Sequence, residues 1–133
     1  MVEDLDDGAG PRAPELVLVR RAGTGADLVA GVPTTMCCLR STVRGSRAVV
    51  YRSGHGQGVV GVVDFVSDAV GRPGRGWEAD GVYRPVEPPL PRADLLADPV
   101  LGPVFAHLQS RRGLPVAAAR RLCELLRGSG THA

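Results

Sequence analysis

Two runs of strand-forming residues, Arg47-Ala48-Val49-Val50-Tyr51-Arg52-Ser53 and Val59-Val60-Gly61-Val62-Val63-Asp64-Phe65-Val66-Ser67, flank the segment Gly54-His55-Gly56-Gln57-Gly58. Valine and aromatic residues on both sides of a glycine-rich turn predict an antiparallel hairpin. Strict alternation puts Val49, Tyr51 and Ser53 on one face of the first strand. It puts Val59, Gly61, Val63 and Phe65 on one face of the second. Gly61, inside a strand, marks a bulge or the close approach of another backbone.

The remaining segments supply partners for this hairpin. Residues 1–14 are acidic, then rich in Gly, Pro and Ala, and read as a disordered tail. Glu15-Leu16-Val17-Leu18-Val19-Arg20 is a short apolar run and reads as a buried strand. Gly23-Thr24-Gly25 reads as a turn, Ala26–Val32 as one helical turn stopped before Pro33, and Met36–Arg40 as a short strand. Gly71–Gly76 reads as an irregular loop. Trp77–Val86 alternates like a strand and should end at Pro85 and Pro88-Pro89. Short helices are expected over Arg92–Ala97 and Val104–Arg111, with Gly113 as the stop of the second. Pro103 forbids one long helix there. Ala119, Leu122, Cys123 and Leu126 keep helical spacing, with Arg120, Arg121, Glu124 and Arg127 off that stripe and Gly128 as the stop. Together these predict one α+β domain over 15–128, strands first and helices last, with a frayed end over 129–133.

The 133 residues suffice for one domain with a real core, and 4% aromatic content makes that core aliphatic. The chain contains no Ile, Asn or Lys, a bias of GC-rich, bacterial genomes. No apolar run approaches the roughly 20 residues of a membrane span. The acidic opening, Met1–Asp7, is the opposite of a secretory signal, so the chain is expected to be cytoplasmic. Cys37 and Cys38 are adjacent and would point to opposite faces of a strand, and Cys123 is far away, so neither a disulfide framework nor a metal site is expected. Cys123 falls on the apolar stripe, where buried Cys is common.

All 16 basic residues are Arg, and four of the 14 acids lie in Met1–Asp7. The remainder therefore carries a formal +6, a balance that permits nucleic-acid binding without requiring it. Arg111 and Arg112, at the end of an expected helix, would either bind phosphate or interact with the helix dipole. Trp77 would either stack a base, with Arg72 and Arg75 on phosphates, or seal one end of the sheet; the second use is the commoner. Asp64 and Glu78 fit ion pairs with Arg52 or Arg84 better than catalysis. The Gly54–Gly58 pattern lacks the strand–loop–helix setting of a phosphate loop. With no nucleophile motif and no cofactor motif, the chain is not expected to be an enzyme.

The order of several segments resembles the EVE domain, a PUA-like family. Gly45–Ser53, ending in Tyr51-Arg52-Ser53, is similar to the family's strand ending in Y-x-S. Gly58–Ala69 is similar to its following glycine-containing strand. Val82-Tyr83-Arg84-Pro85-Val86 and Pro88-Pro89-Leu90-Pro91 resemble its next strand and proline turn. Leu95-Leu96-Ala97-Asp98-Pro99-Val100-Leu101 resembles its "ADPAL" segment, and Leu108-Gln109-Ser110-Arg111 with Pro115-Val116 its ending. The resemblance spans roughly residues 45–126. It implies a curled β-barrel of about five strands with short peripheral helices and a C-terminal helix. It also implies a nucleic-acid-binding module, with DNA favoured over RNA, that receives a methylated or hydroxymethylated cytosine at one barrel end. Tyr51 and Ser53, with Trp77, are then the base-pocket candidates, and Arg52, Arg72, Arg75, Arg111 and Arg112 the phosphate-binding ones. Two of the family's Trp positions fall here on Leu16–Val19 and Val29–Pro33. That departure keeps a second reading open, a protein-interaction or small-ligand module on the same barrel.

Overall fold

The computed structural model describes residues 13–21, 28–54, 57–74, 76–108 and 111–128. Strands β1 (Leu16–Arg21), β2 (Thr34–Cys38), β3 (Arg47–Ser53), β4 (Gly58–Phe65), β5 (Val70–Arg72) and β6 (Gly76–Pro91) come first. Helices α1 (Arg92–Ala97) and α2 (Gly102–Phe105), strand β7 (Arg111–Gly113) and helix α3 (Val116–Gly128) follow. All seven strands join one sheet in the order β2-β6-β4-β3-β1-β7, with β5 paired to β6. The β1–β3 pair is parallel, and the other pairings of the sheet are antiparallel.

The sheet is strongly curled, as its packing shows. Met36 and Cys38 on β2 share one buried cluster with Leu16 and Leu18 on β1, although β6, β4 and β3 lie between them in the sheet. That contact exists only across the inside of a curl. The two edges nearly meet, since a Cβ on Gly113 of β7 would lie 3.6 Å from Leu39 Cδ1, just past β2. The outer face carries Val17, Val49, Tyr51, Val59, Val62 and Val86, and the helices cover it with Leu95, Leu101, Val104, Phe105, Ala118, Leu122 and Leu126. Each fully buried Val, Leu or Phe among them contributes about 1.5–3 kcal/mol by leaving water. The core is thus aliphatic, as the composition required.

A bulge on β4 sets the details. Val50 faces Gly61 and Tyr51 faces Val59, so Val60 is an extra residue in the β3–β4 ladder. It shifts the alternation: Val59 and Val62 face outward, while Val63 and Phe65 face the inside. Val59 therefore does not share a face with Val63 and Phe65, as strict alternation had it. Gly61 is the bulge expected of it, and it is also a close approach, because a Cβ there would meet the Tyr83 ring at 2.3 Å.

Several other expectations are corrected. The β6 strand runs through Pro85, Pro88 and Pro89 rather than ending there. Between the pairs Pro85↔Gly61 and Leu90↔Val59, residues 86–89 stand opposite Val60 alone, so Pro88 and Pro89 need not donate to a ladder. Val60 C=O instead accepts the Tyr83 hydroxyl at 3.2 Å. Gly71 and Arg72 belong to β5, paired with the start of β6, rather than to an irregular loop. The helix expected over Val104–Arg111 is only the four-residue α2, and Gly113 closes β7 rather than a helix, because Arg111–Gly113 pairs with β1. Strands and helices therefore interleave, and among the described residues the sheet has seven strands rather than about five. Leu28–Val32 is not helical; Ala30 bridges Tyr83 instead. Cys123 is half-buried, while Ala118, Ala119, Leu122 and Leu126 form the buried stripe of α3. The turn at Gly23–Gly25, the tail over 1–12 and the end over 129–133 lie outside the described residues.

The Asp98 turn fastens the helices together. Its Oδ1 accepts the N–H groups of Val100 (2.9 Å) and Leu101 (3.1 Å), and its Oδ2 accepts Arg121 Nε of α3 at 2.6 Å. The Arg121 hydrogen bond, helped by the two backbone N–H groups, holds the Asp98 carboxyl below its ordinary value. A depressed carboxyl contributes stability above its unfolded value and loses it as the pH falls through the folded one. Urea denaturation should therefore show stability falling below about pH 4. Asp98→Asn should flatten that acid limb, and an unchanged limb would refute the assignment.

Candidate nucleic-acid interface

The strand directions give the sheet two distinct ends. Arg20, Ser53, Gly58 and Pro91 meet at what is here the upper end, and Arg47, Phe65, Cys38 and Trp77 lie towards the lower end. At the upper end Pro91 closes β6 and α1 begins, which brings Arg92 beside the β3–β4 turn. The Arg92 N–H donates to Gln57 C=O at 3.0 Å. Its Nη1 donates to the Tyr51 hydroxyl at 3.0 Å and to Phe105 C=O at 3.1 Å. The Tyr51 hydroxyl donates onward to Gln57 Oε1 at 3.1 Å. Arg112 reaches from β7 to donate to Val104 C=O at 3.2 Å. Two guanidinium groups thus satisfy carbonyls at the end of α2 that the short helix leaves open.

Tyr51 and Ser53 are brought together here. The Tyr51 ring is only 2% exposed and lies 5.7 Å from the Phe105 ring. It therefore offers no stacking face, and its hydroxyl is engaged by Arg92 and Gln57. Ser53 is half-buried, with its Oγ donating to Arg20 C=O at 3.4 Å. Arg52 is exposed beside Arg20 on the adjacent strand. The exposed acids nearest in sequence are Glu87 and Asp94.

Trp77 is not part of this cluster. It pairs with Cys38 and packs half-buried against the inner cluster, at the opposite end and on the opposite face from Tyr51. The Arg40 guanidinium sits 5.6 Å from its ring centroid. Trp77 therefore packs on the inner face towards the lower end. Arg72 is nearby and pairs with Glu78 at 3.3 Å, away from Arg52 and Arg112. Arg111 lies in β7 opposite Leu18, and Arg75 falls outside the described residues.

The two carboxylates considered for chemistry are both engaged by arginine. Asp64 takes Arg47 Nε at 2.7 Å and Nη2 at 3.1 Å, and also contacts Arg84. Burial lowers the Arg47 value; burial and then the Arg47 charge lower that of Arg84. The expected Arg84–Asp64 pair is present, with Arg47 as a partner the sequence reading missed. Among the described residues no cluster of His, Cys, Asp and Glu could hold a metal ion, and no helix is long and apolar enough to cross a membrane. Gln57 and Arg92 are the site residues that sequence reasoning missed. No local signal links Arg92 to a tyrosine 41 positions earlier.

No protein-family model matches the chain, and no curated protein does. Among solved structures it is similar to human THYN1 in complex with 5-methylcytosine-containing DNA, with a TM-score of 0.60 and 15% identity over 84% of this chain and 96% of that one. The fold is PUA-like. Rpa0253 from Rhodopseudomonas palustris is similar at TM-score 0.55 and 24% identity, over 70% of this chain and 69% of that one. Atu2648 from Agrobacterium tumefaciens is similar at TM-score 0.53 and 22% identity, over 66% of each chain. The curled sheet, short helices and C-terminal helix inferred from the sequence thus have counterparts in solved proteins.

Proposed function

We propose that this chain is a non-catalytic, cytoplasmic, EVE-type module that binds DNA at the upper end of its sheet and reads a modified cytosine there. The observation that carries the reading is the Arg92–Tyr51–Gln57 hydrogen-bond chain beside Ser53 and the exposed Arg52, in a fold shared with a protein solved on 5-methylcytosine-containing DNA. Arginine side chains there would hold phosphates, and polar groups round the Tyr51 hydroxyl would bond the edge of an extruded base. Trp77 and Arg72, at the lower end, take no part in this site; Arg111, on β7, remains a phosphate candidate.

The buried Tyr51 ring favours the second reading, a protein or small-ligand module, because it removes one stacking platform from the upper end. Titration against matched oligonucleotides bearing cytosine, 5-methylcytosine or 5-hydroxymethylcytosine, at two salt concentrations, separates the two. The account predicts salt-sensitive binding, since phosphate contacts release counterions, and tighter binding to one modified strand. Equal binding to all three would leave a general phosphate-binding surface. No binding at low salt would end the nucleic-acid reading.

A further inference from the structure

Gln57 is held more firmly than an exposed residue in a turn needs to be. Its C=O accepts the Arg92 N–H at 3.0 Å, and its side-chain Oε1 accepts the Tyr51 hydroxyl at 3.1 Å. The hydroxyl accepts from Arg92 Nη1 at 3.0 Å, and among the described residues its single proton has no acceptor but Gln57 Oε1, so the proton goes to Gln57. Arg92 is itself fixed by Phe105 C=O. The chain Arg92→Tyr51→Gln57 therefore sets which way round the amide stands. Oxygen points inward and NH2 outward, with no partner for that NH2 among the described residues. An amide free to flip would offer either a donor or an acceptor; this one offers only donors.

From this geometry, and resting on the DNA-binding reading above, we infer that Gln57 is the base-contacting residue of the upper end. Its NH2 donates to the acceptor edge of a bound cytosine, and Tyr51 is the positioning residue that keeps it a donor. Cytosine suits such a site because its O2 and N3 are adjacent acceptors. A phosphate oxygen would also accept from this NH2, and the test separates the two. A site built around a donor is selective because a ligand lacking the acceptor leaves a hydrogen bond unmade.

The test compares single-stranded oligonucleotides that differ only in one central cytosine, 5-methylcytosine or abasic position. Wild-type protein should bind the base-bearing strands more tightly than the abasic one. Gln57→Ala should reduce that preference about fivefold, the scale of one neutral hydrogen bond, and leave abasic binding unchanged. Gln57→Glu, which replaces the donor by an acceptor, should reduce it at least as far. Tyr51→Phe, which frees the amide to turn without removing its NH2, should reduce the preference less, by up to about twofold, and the double variant should be no weaker than Gln57→Ala alone. A further readout needs no ligand: Tyr51→Phe should move the Gln57 side-chain NH2 resonances in a 15N–1H spectrum.

Equal weakening of base-bearing and abasic strands by Gln57→Ala would make the contact a phosphate one and overturn the inference. So would an unchanged preference in Gln57→Ala, or NH2 resonances that ignore Tyr51→Phe. In those outcomes the wild type still binds, and the DNA-binding reading stands. Wild-type protein that binds no strand at low salt would overturn both.

Discussion

Asp64→Ala is expected to lower the stability by about 3 kcal/mol, read as a shift of the urea midpoint with unchanged slope. Arg47 is 6% exposed, and its guanidinium is held in a two-pronged contact by Asp64 at 2.7 and 3.1 Å. Arg84 approaches the same carboxylate from β6. Removing Asp64 leaves two neighbouring cations, one of them buried, with no carboxylate. Such an uncompensated charge costs far more than the pair contributes, because the cost is its desolvation. The expectation sits at the low end for buried pairs because Asp64 remains 26% exposed. The double variant Arg47→Met/Asp64→Leu should recover much of the loss, since it removes the buried charge together with its partner. A loss below about 1 kcal/mol for Asp64→Ala would place this cluster among surface ion pairs.

Gly61→Ala is expected to cost about 2–3 kcal/mol, the upper part of the roughly 1–3 kcal/mol range for forcing an extra methyl into a packed site. The added Cβ would lie 2.3 Å from Tyr83 Cε1 and 2.7 Å from the Arg84 carbonyl oxygen. The ring could turn aside, but the carbonyl belongs to a paired strand and cannot. Turning the ring would also break the Tyr83 bond to Val60 C=O. Gly71→Ala is the control: its Cβ would touch the Trp77 ring at an ordinary 3.5 Å, and the change should cost under about 0.5 kcal/mol. Similar losses in the two variants would mean that β4 and β6 are packed less closely than the bulge requires.

What the sequence revealed and what it hid have a common physical cause. Periodicity reports which side chains leave water, so the β3–β4 hairpin, β1 and the stripe on α3 were all legible. It does not report which distant strands pair. The parallel β1–β3 pairing and the edge strand β7 had no local signature, and Arg111–Gly113 read as the end of a helix. Prolines stop a strand only where the ladder needs their missing N–H, and the bulge at Val60 removes that need along 86–89. For the candidate site, the placement of Tyr51 and Ser53 at a strand end was legible through a resemblance. So was a packing use for Trp77, which lies half-buried against the inner cluster. Gln57 and Arg92 were not, because their roles depend on a hydroxyl that reaches them only after the sheet curls and α1 docks.

The most direct test of the upper end as the binding surface is to map it. Backbone amide shifts of 15N-labelled protein would be followed while a short 5-methylcytosine-containing oligonucleotide is added. The account predicts that the largest changes fall on Arg20, Tyr51, Arg52, Ser53, Gln57 and Arg92, with the lower end around Arg40, Arg72 and Trp77 unmoved. Largest changes at Trp77 and Arg72, with Tyr51 and Gln57 still, would contradict it and move the site to the opposite end of the sheet.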